Sequence, residues 1–340
     1  MQQDHSTDEL AGSPPATPPV EYALRNSRVG RALTKGQPGS REQSSRGSMI
    51  FEGMSFAISF QSKRTGENLD QYNERMEHAR AVEKKIQQGG GRVLAEGFDE
   101  LFEASPINSA DYSPTASQPD DELRLTSGAA SGGFTALIAD GHSRKVKYMQ
   151  ALALGLPCIA SRWITTCFDR QEIVDWSPYL LCAGVSSFLG DAIRSRNLTP
   201  YDAKSARLCD VVDRRTMLLE GNKILLIMKK SGESKRMAYV FLARVLGACL
   251  SRVYSIDEAK VKLKAAEDAG QPFDWVYVDE KTAGKGELFL ARTAEGKKRK
   301  RGGTGTYHGP PPKKVRTLSD ELVVQSLIFG SIIEEGEMDD

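Results

Sequence analysis

LIADGHSRKVKYMQALALGLPCIASRWI (137–164) is the stretch that decides the fold. It opens inside the apolar run FTALIAD (134–140), a short run bounded by turn residues that reads as a strand buried on both faces. His142 to Leu154 follows as a helix, closed by Gly155 and broken by Pro157. CIAS (158–161) reads as a second short strand, and Arg162 to Asp169 opens another helix. A strand, a crossover helix and a returning strand imply parallel pairing.

Upstream, MIFEGMSFAISF (49–60) is apolar on both faces, as a central parallel strand should be. Residues 67–88 carry a helical pattern stopped by Gly89-Gly90-Gly91, and RVLAEGF (92–98) reads as a strand. Residues 105–132 fall into Ser/Pro/Asp/Gly low complexity and are expected to form a disordered insertion. The order is β-α-β-β-α-β-α, a small α/β unit spanning 49–170. Residues 1–48 are rich in Ser, Pro, Gly and Arg with Tyr22 as their one aromatic residue, and are expected to be disordered. Ser13-Pro14 and Thr17-Pro18 are phosphosite candidates within it; ordinary Ser/Pro-rich filler is the competing reading.

Downstream the pattern returns over 222–333, after a connector at 171–221. NKILLIMKK (222–230) is a strand, SKRMAYVFLARVLGA (234–248) a helix, CLSRVYSI (249–256) a strand and 257–270 a polar helix-like stretch. FDWVYVD (273–279) and KVRTLS (314–319) are strands, and DELVVQSLIFG (320–330) is a helix. The central helix between the last two strands is missing or degraded, with Gly-, Lys- and Pro-rich sequence at 281–313 in its place. The repeat is visible in detail: Trp163 stands four residues before Cys167, and Leu322 four before Ser326, so each pair shares one helix face.

Composition bounds the function. The 340 residues carry 46 Lys+Arg against 45 Asp+Glu, a net charge of +1 that argues against a chain coating nucleic acid along its length. No apolar run is long enough for a membrane span, and the N-terminus lacks the basic start and apolar run of a signal peptide. An odd set of cysteines (Cys158, Cys167, Cys182, Cys209, Cys249) then favours reduced thiols. No two are as close as CxxC, and with four histidines in the chain no structural zinc or other metal is expected.

Asp140-Gly141-His142-Ser143-Arg144-Lys145-Val146-Lys147 carries the chemistry. With Ser143 as N-cap, Arg144, Lys145 and Lys147 fall in the first helical turn, where cations oppose the helix dipole. Such an arrangement suits an anion, phosphate above all; a solvated basic turn is the competing reading. Asp140 and His142, with no nucleophile in a recognisable motif, read as capping and turn residues. Gly89-Gly90-Gly91 follows a helix and lacks nucleotide-loop spacing, so it reads as a turn. KKRKR (297–301) and KKVR (313–316) read as a nuclear import signal, a nucleic-acid patch or a solvated loop. Tyr307 alone interleaves them, which does not support base stacking. EEGEMDD (334–340) is an acidic tail.

Strand, helix, Gly-Gly, strand and a final helix with Trp-x-x-x-Cys resembles the BRCT module. The run from Ala139 to Trp163 carries most of the resemblance, to the first unit of the tandem BRCT region of DNA-damage checkpoint mediator proteins. PYLLCAG (178–184) and SDELVVQSLIFG (319–330) are also similar, and the likeness covers roughly 49–333. Leu322 departs from it, since Trp is usual there. The family's upstream Tudor module is not evident, as in a fragment, a short gene model or a divergent member. The resemblance implies an α/β fold of two small units packed in tandem, each a four-stranded parallel sheet flanked by helices. It implies a phosphate pocket made by the Ser59 hydroxyl, the Phe60 backbone N–H and Lys147, with Arg144 and Lys145 serving the peptide backbone or a terminal carboxylate. Phe60 stands where many members have Gly and is expected to crowd that pocket. The resemblance further implies a non-enzymatic nuclear adaptor without cofactor. Its partners would be a phosphorylated histone tail or other phosphoprotein, checkpoint kinases and a second copy through the second unit. Three alternatives stay open: a DNA-end module using the basic loop, a scaffold with a vestigial pocket, and a small α/β enzyme, for which no catalytic constellation appears.

Overall fold

The computed structural model describes residues 49–104, 108–109, 123–229, 233–279 and 316–333. The N-terminal 1–48, the basic stretch 281–313 and the acidic tail 334–340 lie outside the described residues, as does the question of a central helix at 281–313.

The first unit is built on β1 (Ser55–Ser59), α1 (Leu69–Gln88) and β2 (Arg92–Leu94). Asn68 starts α1 with a capping box: its side chain accepts from the Gln71 amide while the Gln71 side chain accepts from the Asn68 amide. Gly89 ends the helix where the Phe51 ring lies so close that a Cβ would stand 2.4 Å from it, which only glycine tolerates. The apolar run from Met49 thus begins as a turn, and only its second half is strand.

The chain then crosses β3 (Asn108–Ser109), α2 (Ser127–Ala130), β4 (Thr135–Ala139), α3 (Val146–Ala153), β5 (Cys158–Ala160) and α4 (Arg162–Arg170). The sheet order is β2-β1-β4-β5, all parallel, with Ser59 opposite Ala139. Alternation along β1 assigns its faces. Phe56 packs with Val82, Ile86, Trp163 and Cys167 under α1 and α4, while Ala57 packs with Tyr148 and Met149 under α3.

The connector holds an antiparallel hairpin of β6 (Gly184–Ser186) and β7 (Ala192–Arg194), followed by α5 (Leu208–Asp213). The second unit comprises β8 (Lys223–Ile227), α6 (Glu233–Val245), β9 (Cys249–Val253), α7 (Ile256–Asp268), β10 (Trp275–Tyr277), β11 (Arg316–Leu318) and α8 (Asp320–Phe329). Its parallel order, β11-β10-β8-β9, repeats that of the first unit. Leu322 and Ser326 on α8 are buried like Trp163 and Cys167 on α4.

Four expectations need correction. The second sheet has five described strands rather than four, because β3, from the insertion in the first unit, pairs with β9. Residues 123–132 of that insertion are ordered. Phe102 bridges Leu125 and stacks on Phe241 of α6 at 5.6 Å, so burial of these side chains draws the stem onto the second unit; residues 105–107 and 110–122 lie outside the described residues. The helix after β4 starts at Val146 with Lys145 as N-cap, not at Ser143, because Asp140 to Arg144 are drawn into contacts with other segments. The second strand stops at Leu94 rather than Phe98. Gly97 turns the chain with φ +135, and a Cβ there would stand 2.6 Å from Gln150 Oε1. In the second unit α7 takes the role of a central helix. Its Ala259, with Ile256 and Leu263, covers Leu225, Ile227, Val253 and Val276 on the outer sheet face.

The two units share one core. Helices α3, α6 and α8 pack against one another, and their apolar residues form a single buried cluster. Each of these helices ends on a connector arginine. Arg196 donates to the carbonyls of Ala151 and Leu156, Arg215 Nε to that of Val245 at 2.7 Å, and Arg194 to that of Phe329 at 3.2 Å. Cations there satisfy orphan carbonyls and complement the negative helix ends.

Two stability changes are expected in urea titrations. Trp163→Ala should cost about 3–5 kcal/mol, because the indole is fully buried and a cavity would remain. Arg196→Ala should cost about 1–3 kcal/mol, because it removes the guanidinium donor of the Leu156 carbonyl and one of the two donors of the Ala151 carbonyl.

Candidate functional site

The carboxyl edge of the first sheet brings together the ends of β1, β2 and β4 and the start of α3. Alternation puts Ser59 on the same face as Ala57, toward α3. Ser59 is 5% exposed, and its Oγ has no hydrogen-bond partner among the described residues. A buried hydroxyl without a partner costs stability, and this one sits at the carboxyl edge of the sheet.

Lys147 lies in the first turn of α3, and its Nζ donates to the Ala95 carbonyl at 2.6 Å. Ala95 follows β2, while α3 follows β4, and β1 lies between those strands. The lysine therefore reaches across the carboxyl end of β1, where Ser59 sits. One turn on, Gln150 accepts from the Phe98 amide at 3.0 Å, so α3 fastens the loop after β2 at two points.

The Phe60 ring goes the other way. It stands 6.0 Å from the His78 ring on α1, on the face shared by Phe56 and Ile58. The expected crowding of the α3 side by this side chain is not what the geometry shows, because alternation sends it to the opposite face. Arg144 precedes the helix and pairs with Glu321 in the first turn of α8, so it joins the two units. Lys145 is the N-cap of α3 without a side-chain cap bond. The Ser143 Oγ is buried with no partner among the described residues. Of the basic clusters, only Arg316 is described, stacked over Trp275 at 4.3 Å.

Most of the residues that hold this edge together, Gln61, Arg64, Glu67 and Arg75, were not singled out from sequence. Asp140, read there as a capping residue, accepts from the Gln61 amide at 2.9 Å and from Arg75 Nη1 at 2.8 Å. Arg64 adds a third contact at 3.3 Å. Arg75 also donates to the Gln61 carbonyl at 2.7 Å, to the Ser62 carbonyl at 3.2 Å and to Glu67 at 2.7 Å. The Arg75 hydrogen bond, with that from the Arg64 amide, holds the Glu67 carboxyl down to about 2. The same bond raises the already high pKa of Arg75. Burial, with Arg64 nearby, pushes the His142 imidazole below its usual value. Two carboxylates and two guanidiniums cancel here, and Lys147 is the cation that reaches over the end of β1 where Ser59 sits. The arrangement can bind an anion; its described residues include no cluster of His, Cys, Asp and Glu that could hold a metal.

Comparison with known proteins finds relatives of this chain. Residues 46–168 match the family model of the BRCA1 C Terminus (BRCT) domain. The chain is 32% identical over 179 residues to DNA repair protein crb2 of Schizosaccharomyces pombe, covering 49% of this chain and 22% of that protein. It is 26% identical over 213 residues to DNA repair protein RAD9 of Saccharomyces cerevisiae, covering 56% of this chain and 16% of that one. Both alignments thus span under a quarter of these relatives' length. Among solved structures it is similar to the BRCT5-BRCT6 domains of S. pombe Brc1, with 16% identity, TM-score 0.29, and coverage of 61% of this chain and 71% of that one. It is also similar to BRCT3,4 of S. pombe Rad4, with 12% identity, TM-score 0.21, and coverage of 84% and 96%. The matched residues 46–168 fall on the first of two α/β units with the same strand order in this chain.

Proposed function

We propose that this chain is a non-enzymatic adaptor module of the DNA-damage checkpoint that binds a phosphoserine peptide at the carboxyl edge of its first unit. The observation that carries the reading is the orphaned Ser59 hydroxyl beneath Lys147 at the start of α3. Open α/β sheets bind ligands at this edge, and a helix start with a lysine suits phosphate. The phosphate accepts from Ser59 Oγ, the Phe60 amide and Lys147, which leaves Ala95. The peptide continues toward the second unit past Lys145 and the Arg144–Glu321 pair. The kinship to DNA repair proteins supports a nuclear setting, with a phosphorylated histone tail at damaged chromatin as ligand and checkpoint kinases as further partners.

Fluorescence anisotropy with paired phosphorylated and plain histone-tail peptides tests this. Lys147→Glu should weaken phosphopeptide binding by about 2–3 kcal/mol, roughly 30- to 150-fold, while the melting temperature holds. A mutant that still prefers the phosphorylated peptide would sink the assignment. Ser59→Ala should weaken binding yet leave stability unchanged or slightly higher, since it removes a buried hydroxyl with no partner. Salt separates this reading from DNA binding: one phosphoserine contact should weaken gently between 50 and 200 mM salt, whereas a multi-phosphate interface should lose about 10³-fold or more.

A further inference from the structure

We infer that Asp140 and Arg75 are positioning residues for the phosphate site, acting through the peptide unit at Gln61. The inference rests on the phosphopeptide reading above and extends it to side chains that touch no ligand.

The geometry is a clamp on both ends of one residue. Asp140 takes the Gln61 N–H at 2.9 Å, and Arg75 takes the Gln61 C=O at 2.7 Å. Asp140 and Arg75 then close on each other at 2.8 Å, with side chains 10% and 12% exposed. Glu67 and the Ser62 carbonyl fill the remaining guanidinium donors. Gln61 follows Phe60, whose amide is the backbone donor of the proposed pocket. Gln61 is held at its N–H and its C=O while β1 holds Ser59, so the Phe60 residue between them, with its amide, is confined from both sides. The cluster ties the loop after β1 to the loop after β4, which leads into α3 and Lys147. One clamp thus sets the spacing between the hydroxyl–amide pair and the lysine.

Charge makes the inference sharply testable. Asp140 is an anion beside a proposed phosphate site. Were it a mere electrostatic bystander, its removal would tighten phosphopeptide binding. A positioning role gives the opposite sign.

The experiment measures binding of a fluorescein-labelled phosphoserine peptide, and of its plain form, to the full chain and to Asp140→Ala, Asp140→Asn and Arg75→Ala. Asp140→Ala should bind the phosphopeptide about tenfold more weakly despite losing a negative charge, with plain-peptide binding unchanged. Asp140→Asn keeps an acceptor for the Gln61 N–H and should recover part of that loss. It also carries the test if the Ala variant fails to fold. Arg75→Ala leaves Asp140 with Arg64 as its one described cation and Glu67 with no guanidinium, and should lose more, with part of the loss relieved at higher salt. Amide NMR should show the Phe60 and Gln61 resonances shifted in the Asp140 variants while those of α8 stay in place. Equal or tighter phosphopeptide binding by both Asp140 variants would overturn the positioning role alone. A wild-type chain indifferent to phosphorylation would overturn the phosphopeptide reading and this inference with it.

Discussion

Burial of α3 is the constraint on which the rest of the structure depends. This helix of eight residues has Tyr148, Met149, Gln150, Ala151 and Ala153 buried. One side covers the α3 face of the first sheet, and another meets α6 and α8 of the second unit. A helix apolar on several sides is stable only when enclosed, so neither unit is completed without the other. Its N-terminal turn presents Lys147, and its polar Gln150 reaches the loop after β2. Packing, union of the two units and the proposed chemistry all draw on the same few residues.

The connector makes that union specific. Apolar contact among three helices allows more than one crossing angle, because the hydrophobic effect itself has little directionality. Arg194, Arg196 and Arg215 supply direction, each taking carbonyls at one helix end. At the opposite end of α3 and α8, Arg144 meets Glu321. The interface is therefore fastened at both ends.

Local signals made much of this legible. The parallel strands, the Asn68 and Gly89 boundaries of α1, and the repeat of Trp163/Cys167 as Leu322/Ser326 all follow from residues near one another in sequence. Alternation in SFAISF already separated Phe60 from Ser59, but an apolar run without polar punctuation hides which face is which. The Asp140–Arg75 pair spans 65 positions and the Arg144–Glu321 pair 177, so neither leaves a local trace. Ser143 failed as the cap for a related reason: the preceding loop is drawn to distant partners. The role of α7 was equally hidden, because chain order placed it before the third strand of its unit rather than after it.

That placement has a consequence for how this sequence can change over time. Because Ala259, Ile256 and Leu263 of α7 meet Leu225, Ile227, Val253 and Val276 in one small cluster, the described outer face of the second sheet and α7 can change only together. A larger side chain at Ala259 would press on three strands at once, so tolerance there is set by the sheet rather than by the helix.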